Sequence, residues 1–206
     1  MKRFFLVACF LSFMSIATAY AEHFAFQIGE NRASFGIGFG WTEGGHRGIP
    51  AVNALVERSI IPFRDFGFLS VGAQFGFHYG FNRSLPSTYT LPGRDEVFGM
   101  NLRHNWTSFY FVPRLALYFH EVFHPDDFPE NIDLYVGVGI GFNHLSHRIL
   151  RGNLPPDATI LNNDTGFRFA YQVFIGGRHY FRENMAVFAE IGYGLSFLNL
   201  GITIRY

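Results

Sequence analysis

The chain ends in NMAVFAEIGYGLSFLNLGITIRY, Asn184 to Tyr206. From Leu198 the alternation is strict: Leu198, Leu200, Ile202, Ile204 and Tyr206 share one face, and Asn199, Gly201, Thr203 and Arg205 share the other. A period of two is a β-strand. One face is wholly apolar while the other carries amide, hydroxyl and guanidinium groups, so the strand suits lipid on one side and a polar interior on the other. Met185 to Gly194 repeats the pattern, with Val187, Ala189, Ile191 and Tyr193 outward and Ala186, Phe188, Glu190 and Gly192 inward. Leu195 and Ser196 leave only a very short reversal between the two, which makes them a closing hairpin.

Working back along the chain, the same pattern recurs six more times. Ala33 to Trp41, about Ala51 to Ile61, Phe66 to Phe81, Trp106 to Phe119, Ile132 to Ser146 and Gly166 to Phe181 each place apolar residues at every second position. Together with the final pair they predict an all-β fold, an eight-stranded antiparallel transmembrane up-and-down β-barrel. Asn82 to Asn105 and His147 to Thr165 read as long loops, and Glu22 to Arg32 as a lead-in before the first strand. Connections three and five are long while two and six are short, the parity of an outer-membrane barrel whose N-terminus is periplasmic; connection four, about a dozen residues, is longer than that pattern and connection seven shorter. Pro113 lies within the fourth strand and lacks a backbone donor, which predicts a bulge there.

Composition agrees with a membrane setting. Within 206 residues there are 27 Phe and 10 Tyr, more aromatic surface than a soluble domain of this size uses. The N-terminus reads as a signal peptide over residues 1–21, with Lys2 and Arg3 ahead of the apolar run Phe4 to Ile16 and a small-residue cleavage site at Ala19-Tyr20-Ala21. Residues 22–206 are then the barrel domain. Leu6-Val7-Ala8-Cys9 resembles a lipobox, but cleavage there would leave almost no apolar run. The single Cys falls inside the leader, so the mature chain has neither disulfide nor thiolate chemistry.

Of 16 basic residues, loss of Lys2 and Arg3 leaves 14 against 16 acidic ones, a formal charge of −2. That gives nucleic acid as a partner no electrostatic support. Every remaining basic residue is arginine, which suits either an ion-paired interior or a surface facing lipopolysaccharide. Beyond the leader no apolar run is long enough for a spanning helix, and a closed barrel is the other structure that satisfies every backbone group in lipid.

The runs FAEIGYGLSFLNLGITIRY, LYVGVGIGFNH and VPRLALYFH resemble the small, eight-stranded outer-membrane β-barrel proteins of Gram-negative bacteria. The resemblance covers nearly the whole mature chain and rests on alternation and a terminal aromatic. It implies export through the cleaved signal peptide to the outer membrane, escort by periplasmic chaperones, and reading of the last strand, with Tyr206 as its terminal signal, by the barrel-assembly machinery. The family ends in Phe where this chain has Tyr206.

An eight-stranded barrel encloses only enough space for side chains to fill. The inward charges are Glu57, Arg114, Arg168, Arg178, Glu190 and Arg205, and their burial requires pairing into a polar network that plugs the interior. Around the turn at Arg182 to Asn184, Arg178 falls diagonal to Glu190 and within its reach.

Three motifs suggest chemistry. His120-Glu121-Val122-Phe123-His124 is a literal HExxH, but it follows an alternating strand and meets Pro125, where a zinc site needs a helix. His144 and Ser146 sit where a lipid A hydrolase would place a base and a hydroxyl, without an evident acidic partner. Gly137, Gly139 and Gly141 recur at period two and are a packed inner face rather than a dinucleotide loop. The reading is therefore a monomeric, porin-like barrel without catalytic, cofactor or metal residues, acting in a structural or surface-interaction role among outer-membrane lipid and lipopolysaccharide. A lipid A-modifying hydrolase and a small pore are the alternatives.

Overall fold

The computed structural model describes residues 29–40, 50–62, 67–93, 96–119, 131–150, 159–160 and 165–206. They form β1 (Asn31–Phe39), β2 (Ala51–Pro62), β3 (Phe68–Thr90), β4 (Val97–Tyr118), β5 (Ile132–Leu150), β6 (Thr159–Ile160), β7 (Gly166–Arg182), β8 (Met185–Tyr193) and β9 (Leu198–Arg205). Each long strand pairs antiparallel with its neighbours, and β1 closes the circle against β9, with Arg32 opposite Arg205 and Phe39 opposite Leu198. The result is a closed eight-stranded antiparallel barrel. The two-residue β6 stands outside that count and pairs with Tyr89 and Thr90 at the far end of β3.

The alternation seen in sequence becomes the two faces of the wall. Phe35, Ile37, Val52, Phe75, Phe109, Ile140, Phe167, Phe169 and Ile175 stand exposed on the outside, while Ser34, Asn53, Glu57, Gln74, Arg114, Asp133 and Gln172 are buried within. Polar inside and apolar outside inverts the distribution of a soluble protein. Among the described residues no helix is long and apolar enough to cross a membrane.

The wall is lopsided. β1, β8 and β9 have 9, 9 and 8 residues, whereas β3, β4 and β5 have 23, 22 and 19. Pairing of β2 to β3 reaches Phe77 and that of β7 to β8 begins at Val173, so beyond those residues β3, β4, β5 and β7 continue as an open sheet. Higher still, β3 and β4 run on as a ribbon to Thr90 and Val97, with β6 paired to the end of β3. This corrects the expected loop from Asn82 to Asn105: its residues pair across the ladder with one irregularity between Asn82 and Leu85. Likewise β5 runs to Leu150, four residues past the expected strand end at Ser146. Prolines and interleaved polar residues suggest loops at both places, but in the sheet Tyr89, Met100, Leu102 and Ile149 share one face and pack together.

Two smaller expectations change as well. Arg32 belongs to β1 rather than to a lead-in, since that strand starts at Asn31. Pro113 interrupts the pairing of β4 with β5 between Phe111 and Arg114, yet the register on either side is the same and it stays in register with Ala73 of β3. The missing donor costs ladder bonds without inserting a residue. The expected leader at 1–21 and the HExxH at 120–124 lie outside the described residues.

Candidate functional site

The interior is filled in layers. Closest to the end where β1 begins and β9 finishes, Arg32 of β1 donates from Nη1 to Asp133 Oδ2 at 3.1 Å and to the Tyr180 hydroxyl at 3.1 Å, and that hydroxyl donates to the same carboxylate at 3.1 Å. Next, Arg114 holds Glu190 with both terminal nitrogens, at 2.7 and 3.3 Å, and its Nε lies 3.6 Å from Glu57 Oε1. Arg178 donates to Glu57 and to the Tyr118 hydroxyl, and Tyr118 donates to Glu57 at 3.2 Å. Tyr135 donates to Glu190 at 3.0 Å. All of these side chains are buried.

Aromatic faces complete the shell around the guanidinium groups. Arg114 lies over the Phe174 ring at 3.7 Å, Arg178 over Tyr135 at 4.6 Å and Arg32 over Tyr118 at 4.6 Å. A planar, weakly hydrated cation is suited to being held by a carboxylate in plane and a ring above it. Above these layers Asn53 and Asn199 exchange amide bonds at 2.8 and 3.3 Å. Leu195 then turns inward from the β8–β9 connection and packs with Ala51, Tyr110, Val112 and Ala170. Gly194 permits that turn through its φ of +152°. Gly76 leaves the room, because a Cβ there would collide with the Leu195 side chain. Cavities of about 20 and 30 Å³ remain around Gln74, Gln172 and Leu195, each the size of a water or two.

Of the six inward charges expected from sequence, the structure brings Glu57, Arg114, Arg178 and Glu190 together. Arg178 stands opposite Phe188 and so is diagonal to Glu190, but its guanidinium bonds Glu57 and Tyr118 across the lumen. The diagonal reading considered only neighbouring strands, and a narrow barrel offers partners across its interior too. Arg205 is at the rim, half-buried, paired with Glu30 at 3.3 Å and donating to the Glu183 carbonyl. Arg168 lies opposite Asn143 near the other end of the barrel, half-buried and away from the cluster. Tyr206 is exposed beyond the end of β9, with its backbone N–H on the Asn31 carbonyl. Alternation puts Asp133 and Tyr135 inward, but the expected network leaves them out together with Arg32, Tyr118 and Tyr180. Extending the alternation of β1 back by one inward position would have found Arg32.

A second constellation stands on the inner face of the tall wall. Ser87 Oγ is 2.6 Å from His104 Nε2, and His104 Nδ1 is 2.7 Å from His147 Nε2, linking β3, β4 and β5. Trp106 stacks on His147 at 5.1 Å, with the rings within 2° of parallel. Thr165 bonds both backbone groups of His147. No reading of spacing could find this set, because it depends on two cross-strand registers above the expected strand ends. The hydroxyl, imidazole, imidazole order resembles a nucleophile, a base and an orienting group. Ser87 is 1% exposed, however, and closed to a substrate.

His144 and Ser146 point to the outside. The His144 ring lies 4.6 Å from that of Phe167, and its Nδ1 has no hydrogen-bond partner among the described residues. A base without an orienting group lacks half of the arrangement that hydrolysis requires. Among the described residues no group of three metal-binding side chains is present.

No family model and no curated protein matches the chain. Among solved structures it is similar to the N-terminal β-barrel domain of Pseudomonas aeruginosa OprF, with a TM-score of 0.41, 13% identity and coverage of 87% of this chain and 98% of that one. It is also similar to Ail, the attachment invasion locus protein of Yersinia pestis, with a TM-score of 0.41, 11% identity and coverage of 87% and 96%. A structure of Ail in complex with the heparin analogue sucrose octasulfate gives a TM-score of 0.40 at 11% identity.

Proposed function

We propose that the protein is an integral barrel of the bacterial outer membrane, exported through a cleaved signal peptide, whose interior is plugged and whose tall β3–β4–β5 wall acts in surface interaction. The observation that carries this reading is the inside-out wall: exposed Phe, Ile and Val outside, ion pairs within. In lipid the outer face is solvated by acyl chains and the closed ladder leaves no backbone edge around the girdle. The end that holds the termini faces the periplasm, where Tyr206 is presented to the assembly machinery and chaperones. The tall wall then stands outside the cell, and a rigid sheet there is a platform for recognition.

Three arginines paired to Glu57, Asp133 and Glu190, with Leu195 above them, support a plugged interior. That favours a structural and surface role over a pore. Planar-bilayer recording tests it: the expected outcome is insertion without sustained openings. Steady conductance of nanosiemens size would refute the plug while leaving the barrel intact. A barrel that enters no bilayer would refute the membrane reading altogether.

A further inference from the structure

Composition leaves the arginines with two possible uses, and the fold sorts them. Arg32, Arg114 and Arg178 point inward and are paired. Arg103 of β4 and Arg148 of β5 are exposed on the outside of the tall wall, and among the described residues neither makes an ion pair or a hydrogen bond. The register sets Arg103 opposite Leu150 and Asn105 opposite Arg148, so the two arginines are diagonal neighbours on one face, roughly 7–8 Å apart. Like charges at that position repel unless an anion is shared between them.

Below the pair the outer face is graded. Asn105, Thr107 and Ser146 come first, and the Asn105 side-chain oxygen, shielded from solvent, is without a hydrogen-bond partner among the described residues. His144, Phe109 and Phe142 follow, and they help to line a shallow outer groove of about 530 Å³ with Phe75, Phe77 and Phe111. Lower still are the exposed Leu115, Val138 and Ile140. The strand pair is also braced from behind. Residues adjacent in sequence to the two arginines, His104 and His147, join on the inner face at 2.7 Å under the Trp106 stack.

We propose that the outer face of β4 and β5 is a binding site for an anionic glycolipid of the outer leaflet. Its phosphate-bearing head group is shared by Arg103 and Arg148, its sugars lie against Asn105, Thr107 and Ser146, and an acyl chain occupies the aromatic groove. The order of cation, neutral polar group and apolar surface along the strands matches the order of head group, sugar and chain in such a lipid. Arginine supplies the planar fork that phosphate oxygens accept from. The inference rests on the outer-membrane reading above and adds to it a fixed lipid partner at a named place.

The test uses the full chain, expressed with its leader, purified from membranes in mild detergent and placed in phosphatidylcholine nanodiscs. Some discs also contain bisphosphorylated lipid A, and others its dephosphorylated form. Native mass spectrometry counts the retained glycolipid, and heat-modifiable gel mobility reports the fold. The expected result is retention of the phosphorylated lipid by the wild type, reduced about tenfold or more in R103Q/R148Q and in the dephosphorylated discs. R103K/R148K keeps part of it, as point charges without the fork. Should R103Q/R148Q fail to fold, the wild type in rising salt decides, since exposed charges lose hold of phosphate as screening grows. Equal retention by the folded double variant, or retention indifferent to salt, overturns the site. Displacement by inorganic phosphate with no preference for the lipid makes it a free-anion site and overturns it too. Insertion into the discs without lipid A preference refutes this inference alone, whereas failure to insert refutes the reading on which it rests.

Discussion

Replacing Glu57 by Ala should be among the most destabilising single changes in the barrel. Its carboxylate accepts from Arg178 and Tyr118 and lies 3.6 Å from Arg114 Nε. The cluster now balances Arg32, Arg114 and Arg178 against Glu57, Asp133 and Glu190. Removing one carboxylate leaves a net positive charge among side chains that are almost wholly shielded from solvent. Stranding a buried charge costs about 3–5 kcal/mol. The rim pair Arg205–Glu30, with side chains 15% and 26% exposed, is the internal control, and Arg205→Ala should cost only about 0–1 kcal/mol. Urea titration of the refolded barrel in lipid vesicles, followed by gel mobility, measures both. The double change Glu57→Gln with Arg178→Met removes both members of the pair and should recover most of the loss, because a neutral pair carries no uncompensated charge. A loss of under about 1 kcal/mol for Glu57→Ala would refute the reasoning. It would mean that water reaches the cluster freely, and with it the argument for a closed interior would fall.

Three further changes probe other layers. Leu195→Ala should lower stability by about 2–3 kcal/mol in the same titration, since it empties the apolar layer formed with Ala51, Tyr110, Val112 and Ala170; a negligible loss would place Leu195 outside the barrel mouth. Gly201→Ala should cost about 1–3 kcal/mol because its Cβ would meet the Phe35 carbonyl and the Phe188 ring, whereas Gly99→Ala, with nothing within 4 Å, should be neutral or slightly stabilising. Equal effects of the two would contradict the register of β1 on β9. Finally, His147→Ala in a Trp41→Phe background should shift Trp106 emission to the red as its stacked partner and its shielding are lost, with no change in the heat-modifiable barrel below; an unmoved spectrum would remove the brace.

Much of the fold is legible from alternation because the two sides of the barrel wall differ so sharply. Inward Asn53, Glu57, Arg114 and Arg178 could be assigned from parity alone, and each lies inside. Parity fails where that chemical contrast ends. Between Asn82 and Asn105, Pro86 and Pro92 and the polar residues interleaved with the apolar ones give the impression of a loop, although the ladder from Leu85 to Thr90 and from Val97 to Leu102 is regular and one face packs Tyr89, Met100 and Leu102 together. Partners are harder than faces for a different reason. A strand pattern says which way Arg178 points, but its bond to Glu57 spans 121 residues of sequence and crosses the lumen from β7 to β2. Such contacts depend on how strands that are not neighbours face one another, which local pattern does not encode.

The same limit explains why two uses of arginine are indistinguishable in composition and separate in the fold. At Arg103-His104 and His147-Arg148 the alternation sends imidazoles inward and guanidinium groups outward from adjoining positions on paired strands. Within the barrel the nearest polar surface is a carboxylate on another strand, so Arg114 and Arg178 are satisfied by the chain itself. On the outer face, among the described residues, no carboxylate pairs with Arg103 or Arg148, and the anion proposed to neutralise them is supplied by the surroundings. The length of β3, β4 and β5 is what places Arg103 and Arg148 side by side beyond the pairing with β2 and β8, and the binding surface proposed for them rests on it.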